Sequence, residues 1–230
     1  MNFPAGATAP LERRQIQVDF YFDLICPWCM IGKRQLERAI DLIALGYPDI
    51  EVSVRWKSLP LLPDIPREGV PFQQFYLKRL GSVNAVESRR RQIRDAGHAN
   101  GIRFDLERIE RMPNTIAAHQ LVEHAARAGG ATLQSLFIDQ LFNAYFLRGM
   151  DIGDAQVLAD LGETCGMART ASLDLMTAPG STTPPDQWLI ESRRAGFSGV
   201  PGFLFGDRMA LAGAQPPELL ARTMLESLMP

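Results

Sequence analysis

Between Ile16 and Ile43 the spacing of apolar residues changes period, and the change falls on Cys26-Pro27-Trp28-Cys29. Upstream, Ile16, Val18, Phe20, Phe22 and Leu24 alternate with Gln17, Asp19, Tyr21 and Asp23. A period of two in a run rich in β-branched and aromatic side chains predicts a strand. Downstream, Leu36, Ala39, Ile40 and Ile43 recur at i, i+3, i+4 and i+7, and Gly46-Tyr47-Pro48 supplies a helix stop. Two cysteines are thereby fixed where a strand ends and a helix begins. A second strand is predicted over 51–57, with Val52, Val54 and Trp56 on one face, which completes a βαβ unit.

Pro60, Pro63 and Pro66 then break the pattern, and from there to about Pro179 the periodicity is helical with almost no strand signal. Ala118, Leu121, Val122 and Ala125 form one stripe, closed by Gly129-Gly130; the run from Leu133 to Leu147 is apolar on most sides, as in a buried helix. Asp154 is placed to cap a helix carrying Val157, Leu158 and Leu161, ended by Gly166, with Cys165 on the same stripe as a small core residue. Beyond it, a helix is predicted from about Pro185 to Gly196. Strands at Phe203–Phe205 and Arg208–Leu211 then flank Gly206-Asp207, a two-residue II′ hairpin signal. Pro216 and Pro217 open a last helix. The prediction is an α/β chain with one mixed sheet flanked by helices. Residues 1–62 supply its βαβ part and 183–230 its αββα part, and 63–182 form a large all-helical insertion. The first nine residues, small and proline-containing, are expected to be disordered.

The 230 residues carry a net charge of −2, which argues against nucleic acid as a partner. The densest basic run, Arg89, Arg90, Arg91 and Arg94, wraps around a predicted helix and reads as a solvated face. No apolar stretch is long enough to span a bilayer, and the first residues lack a basic segment followed by an apolar one. Three cysteines are too few for a secreted disulfide framework. The expectation is a cytoplasmic protein with no membrane partner, whose thiols are not permanently bridged.

Two cysteines at this spacing can bind metal, brace the fold or cycle as a redox pair. Zinc needs two further ligands; Cys165 stands alone, and His98, His119 and His124 fall outside any ligand spacing, so no metal is expected. Beside a βαβ unit the pair reads as a redox motif. The first cysteine falls at a helix N-terminus, where unpaired N–H groups and the macrodipole favour a thiolate. The second lies one turn inside, within reach of a mixed disulfide formed by the first. Pro27 is tolerated there because its missing N–H would have no partner. Cys26 is thus the attacking thiol and Cys29 the resolving one. Gly199-Val200-Pro201 is a second anchor: a proline opening a strand sits at an edge, in a cis bond, or simply in a loop.

Four separated stretches, FDLICPWCMIGK, PNTIAAHQL (Pro113 to Leu121), LFNAYFLRGMDIGD (Leu141 to Asp154) and SGVPGFLF with AGAQPPELL, carry a resemblance to DsbA-like thioredoxin-fold proteins. Within them the sequence looks like the FrnE-like thiol oxidoreductases, from about Val18 onward. The resemblance implies a thioredoxin-like fold with a helical insertion, and Val200-Pro201 facing the cysteines. It implies a substrate site formed by Pro27, Trp28, Val200 and Pro201, with Asn114 and His119 at the end of the insert that covers it. Asn114 and Thr115 have a second reading as helix caps, and His119, on the face of Thr115, a second reading as a structural hydrogen-bonding residue. The implied partners are protein or small-molecule thiols and disulfides, acted on by a monomer or homodimer. No tightly bound cofactor is implied, with glutathione as a reductant or ligand.

The chain departs from that pattern at Met30, where an aromatic residue is usual, and at Gln120, where arginine is frequent. A buried acid often stands six residues before the first cysteine of thioredoxin-like proteins; Phe20 occupies that place, and Asp23 lies on the opposite parity of the strand. The group that helps to deprotonate Cys29 is therefore left unassigned, and Lys33 reads as surface. Two rivals share the same framework. One is a glutathione-dependent isomerase or transferase of the 2-hydroxychromene-2-carboxylate isomerase and kappa-class kind, which typically has serine at the first cysteine position. The other is a peptide-binding or chaperone module with incidental thiols.

Overall fold

The computed structural model describes residues 13–177 and 183–229, so the segment expected to be disordered lies outside the described residues. The chain opens with β1 (Arg14–Phe22), α1 (Pro27–Gly46) and β2 (Ile50–Ser58). A short strand β3 (Val70–Pro71) leads into α2 (Phe72–Leu80) and α3 (Val83–Ala99), and β4 (Arg111–Met112) into α4 (Ile116–Arg148), α5 (Ala155–Thr164) and α6 (Arg169–Thr177). The C-terminal part is α7 (Pro185–Arg194), β5 (Gly202–Phe205), β6 (Met209–Ala212) and α8 (Pro217–Glu226).

The expected mixed sheet has the order β2-β1-β5-β6, with β1 parallel to β2 and antiparallel to β5. A parallel neighbour needs a crossover, which α1 supplies, whereas β5 and β6 need only a short turn. β1 is interior and covered on both faces, so Ile16, Val18, Phe20 and Phe22 are buried, and so are Asp19 and Tyr21 on the other side. The buried Asp19 carboxylate is neutralised by Arg55, its partner in register on β2, whose Nη2 donates to Oδ2 at 2.8 Å. α1 packs chiefly on α8, and α4 on α5 and α6. α4 kinks at Gly129 and Gly130; the latter sits at φ +71°, ψ −166°, a conformation only glycine adopts readily. Before the kink the buried stripe is Ala118, Leu121, Val122 and Ala125; after it Phe137, Leu141, Phe142 and Tyr145 are all buried.

Four expectations need correction. β3 and β4 form a two-residue antiparallel ladder, Val70 opposite Met112, in the stretch read as wholly helical. The β5–β6 loop has three residues, since Phe205 pairs with Met209 and Arg208 N donates to Phe205 O at 3.1 Å; both Gly206 and Asp207 take positive φ, unlike a II′ turn. Cys165 is half-buried at the C-cap of α5. Lys33 is buried, 1% exposed: its ammonium pairs with Asp139 at 2.7 Å and Glu37 at 2.5 Å and lies 5.3 Å from the Trp56 ring centre.

Candidate active site

β1 ends at Phe22, and the turn through Leu24 and Ile25 delivers Cys26 to the N-cap of α1, with Pro27 opening the helix. The turn is tied by Cys26 N donating to Asp23 O at 3.1 Å and Cys29 N to Cys26 O at 3.0 Å. No side chain caps α1 and no acidic residue stands in its first turn. The free N–H groups at the positive end of the dipole therefore lie at Cys26, with no carboxylate in the first turn of α1 to compete for them. Its thiol also lies 3.8 Å from the carbonyl of Val200, which precedes Pro201 through a cis peptide.

Cys26 is 6% exposed and Cys29 wholly buried. Burial pushes the Cys29 thiol well above its ordinary range. Its hydrogen bond to Cys26 and the charge there push it further, opposed by a backbone hydrogen bond from Asp23; the Asp23 carboxylate adds a smaller upward push. One cysteine thus borders open space and the other is held protonated behind it.

Asp23 is itself fully buried. Its Oδ2 accepts from Leu61 N at 2.7 Å, and its Oδ1 lies 3.2 Å from His119 Nε2. The parity argument that set Asp23 aside applies inside a strand, but β1 has already ended and Asp23 belongs to the turn. The sequence signal that could have found it is its place three residues before Cys26, within reach of the α1 N-terminus. His119 packs between Phe22 and Trp188, with ring centres 5.3 and 5.7 Å away. Asn114 is committed elsewhere. Its amide donates to Ile65 O at 2.6 Å while its Oδ1 accepts from Ile116 N at 3.0 Å, which staples the proline-rich loop to the start of α4. Thr115 is the N-cap residue, without a side-chain cap bond.

A groove of about 920 Å³ opens beside Cys26. Pro27, Trp28 and Val200 line it together with Leu61, Leu62 and Phe75; Pro201, Asn114 and His119 do not. Its far wall is Tyr76 and Arg79 of α2 and Ser88, Arg89 and Gln92 of α3, none of which the sequence reading placed near the cysteines. Within the basic run read as a solvated face, Arg89 is exposed and borders this groove, whereas Arg90 is half-buried and lines a smaller cavity behind Pro27. Among the described residues, no three His, Cys, Asp or Glu side chains converge to hold a metal ion, and no helix is long and apolar enough to cross a membrane. Chemically, the arrangement offers one accessible sulfur at a helix N-terminus and a second sulfur in contact with it.

Comparison with known proteins adds the following. Residues 17–225 match the family described as the DSBA-like thioredoxin domain. No curated protein matches the sequence. The fold is similar to that of a probable DsbA oxidoreductase from Streptomyces coelicolor, with TM-score 0.81 and 21% identity over 92% of this chain and 89% of that one. It is also similar to the cytosolic disulfide reductase DsbM from Pseudomonas aeruginosa, solved with GSH: TM-score 0.61 and 19% identity over 93% and 100%. A 2-hydroxychromene-2-carboxylate isomerase gives TM-score 0.63 and 17% identity over 91% and 95%.

Proposed function

The chain belongs to the DSBA-like thioredoxin domain family, and on that premise we propose that it is a FrnE-like thiol–disulfide oxidoreductase whose reacting atoms are the sulfurs of Cys26 and Cys29. The observation that carries the reading is the contrast between the two thiols. Cys26 borders the groove at a helix N-terminus, and Cys29 is sealed behind it and hydrogen-bonds to it.

The Cys26 thiolate attacks one sulfur of a substrate disulfide; the S–S bond breaks and the other half leaves as a thiolate that takes a proton from solvent. Once the Cys26 sulfur is in a mixed disulfide, it no longer carries charge or accepts from Cys29. Two of the three influences that most hold the Cys29 proton are then gone. Cys29 gives up its proton at the step that needs it, attacks the Cys26 sulfur, and expels the second substrate half as a thiolate that takes up a proton in its turn. Two electrons have passed from the dithiol to the substrate, and Cys26–Cys29 is a disulfide. In reverse the same steps oxidise a dithiol. His119 acts as a positioning residue that holds the Asp23 carboxylate beside Cys29. Val200, Pro27 and Trp28 frame the approach to Cys26, with Pro201 behind. Asn114, spent on the loop at 63–65, has no such role in this reading.

Cysteine at both positions favours redox chemistry over a glutathione-dependent isomerase, although glutathione remains compatible as reductant. The small number of cysteines and the fold shared with a cytosolic disulfide reductase support a cytoplasmic setting. The test is a pair of variants in an insulin-reduction assay. Cys26→Ser abolishes turnover, and Cys29→Ser accumulates mixed disulfides visible by mass. Undiminished exchange in Cys26→Ser would overturn the assignment.

A further inference from the structure

The wall of the groove opposite Cys26 has a charge pattern that disulfide exchange alone does not require. Its lining contains Arg79 and Arg89 and not one aspartate or glutamate. Arginines elsewhere that do meet a carboxylate include Arg94 with Glu107, Arg55 with Asp19, Arg111 with Asp151 and Arg169 with Asp160. Among the described residues no carboxylate pairs with Arg79 or Arg89, and Arg89 Nη1 is held against the wall by Gln92 Oε1 at 2.8 Å. Arg90 brings a third positive charge from behind, with Nε and Nη2 buried without a hydrogen-bond partner and the guanidinium 5.9 Å over the Phe72 ring.

Tyr76 lines the same groove as Cys26, Arg79 and Arg89. Burial raises its phenol pKa, and so does charge on Cys26, while Arg89, Arg79 and Arg90 draw it down. Leu61, Leu62, Phe75 and Ile93 supply apolar lining, and Ser88 and Gln92 polar groups beside the arginines. The volume of about 920 Å³ lies within the range of small-molecule sites. A planar guanidinium recognises a carboxylate through paired N–H donors, and the absence of neighbouring acids leaves those donors to a ligand.

We propose that this wall selects low-molecular-weight disulfides and thiols that carry a free carboxylate, which Arg79 and Arg89 bind while the sulfur meets Cys26. The inference rests on the disulfide-exchange reading and adds its substrate class. The chemistry is the exchange already balanced above; only the recognition is new.

The test measures how fast three small disulfides oxidise the reduced protein: the dianion 3,3′-dithiodipropionate, neutral 2-hydroxyethyl disulfide and dicationic cystamine. Each rate is divided by that of dithiothreitol with the same disulfide, which removes intrinsic reactivity. At low ionic strength the dianion should exceed the neutral compound by about tenfold, with cystamine below both, because a focused positive field raises local anion concentration. The advantage should shrink in high salt and collapse towards one in Arg79→Gln/Arg89→Gln. The corresponding double lysine variant should retain part of it. Arg91→Gln, exposed on the same helix and outside the groove lining, should keep it. Equal normalised rates for all three disulfides would overturn this inference while leaving disulfide exchange intact. So would an Arg91→Gln loss as large as that of the double variant. A protein oxidised by none of them, or oxidised undiminished after Cys26→Ser, would remove the underlying reading and this one with it.

Discussion

Cys26 and Cys29 carry the same functional group and differ by less than one turn of α1. The 6% exposure of Cys26 meets unpaired helix N–H groups and the Val200 carbonyl; the complete burial of Cys29 meets Cys26, Asp23 and no solvent. Desolvation disfavours a thiolate at Cys29 as long as the fold is intact, whereas the influence of Cys26 lasts only while its sulfur is free. The remaining electrostatic neighbour is Asp23, whose carboxylate raises the Cys29 pKa. In a protein carrying Cys26→Ser and Cys165→Ala, Cys29 is the single thiol left to titrate by its ultraviolet thiolate absorbance. Adding Asp23→Asn removes the carboxylate charge and should lower the Cys29 pKa. An unchanged or higher value would show that Asp23 acts only through its backbone.

α1 approaches the Val200-Pro201 turn closely because Gly32 has no side chain. A Cβ there would meet Pro201 Cγ at 3.3 Å and the Phe203 ring at 3.4 Å. Gly32→Leu should therefore drive Pro201 away from the start of α1, costing about 1–3 kcal/mol as an overpacked core site does. Disulfide exchange should slow in the same variant; parent-like urea midpoint and rate would contradict the close approach. Much of this geometry is legible in sequence. The switch from period two to period 3.6 fixes the cysteines at a strand–helix junction, and VPGFLF marks the returning strand. The β3–β4 ladder is not legible, because two residues beside prolines carry no period. Lys33 is not legible either: its burial depends on Asp139, more than a hundred positions away, meeting α1 from α4. The arginines of α3 look uniform along the chain; only the packing of α2 and α3 beside Pro27 and Trp28 turns Arg89 to the groove and leaves Arg91 outside it.

At the scale of the whole molecule, the sheet and the helices between residues 63 and 182 share one continuous hydrophobic cluster. Phe22 of β1 stacks edge-on against Phe142 of α4, and Lys33 of α1 reaches Asp139 of α4. The site is therefore sealed by packing between distant stretches of chain, and its acid–base properties are linked to stability. The Cys29 pKa is raised in the folded state. Its contribution is present in full below the unfolded thiol value of about 8.5. Above that, the unfolded chain releases a proton that the folded chain keeps, and stability is lost at up to about 1.4 kcal/mol per pH unit. Between pH 8 and 10 the reduced parent should lose more stability in urea than Cys29→Ser does; equal losses would contradict the assignment of a high pKa to that thiol. The most direct test of the central claim is equilibration of the protein in glutathione redox buffers, followed by acid quench, alkylation and intact mass measurement. The account predicts that Cys26 and Cys29 lose their alkyl groups together in one two-electron transition while Cys165 stays alkylated. The midpoint should fall between roughly −270 and −120 mV, the span of related dithiols. Cysteines that never bridge at any buffer ratio would contradict it.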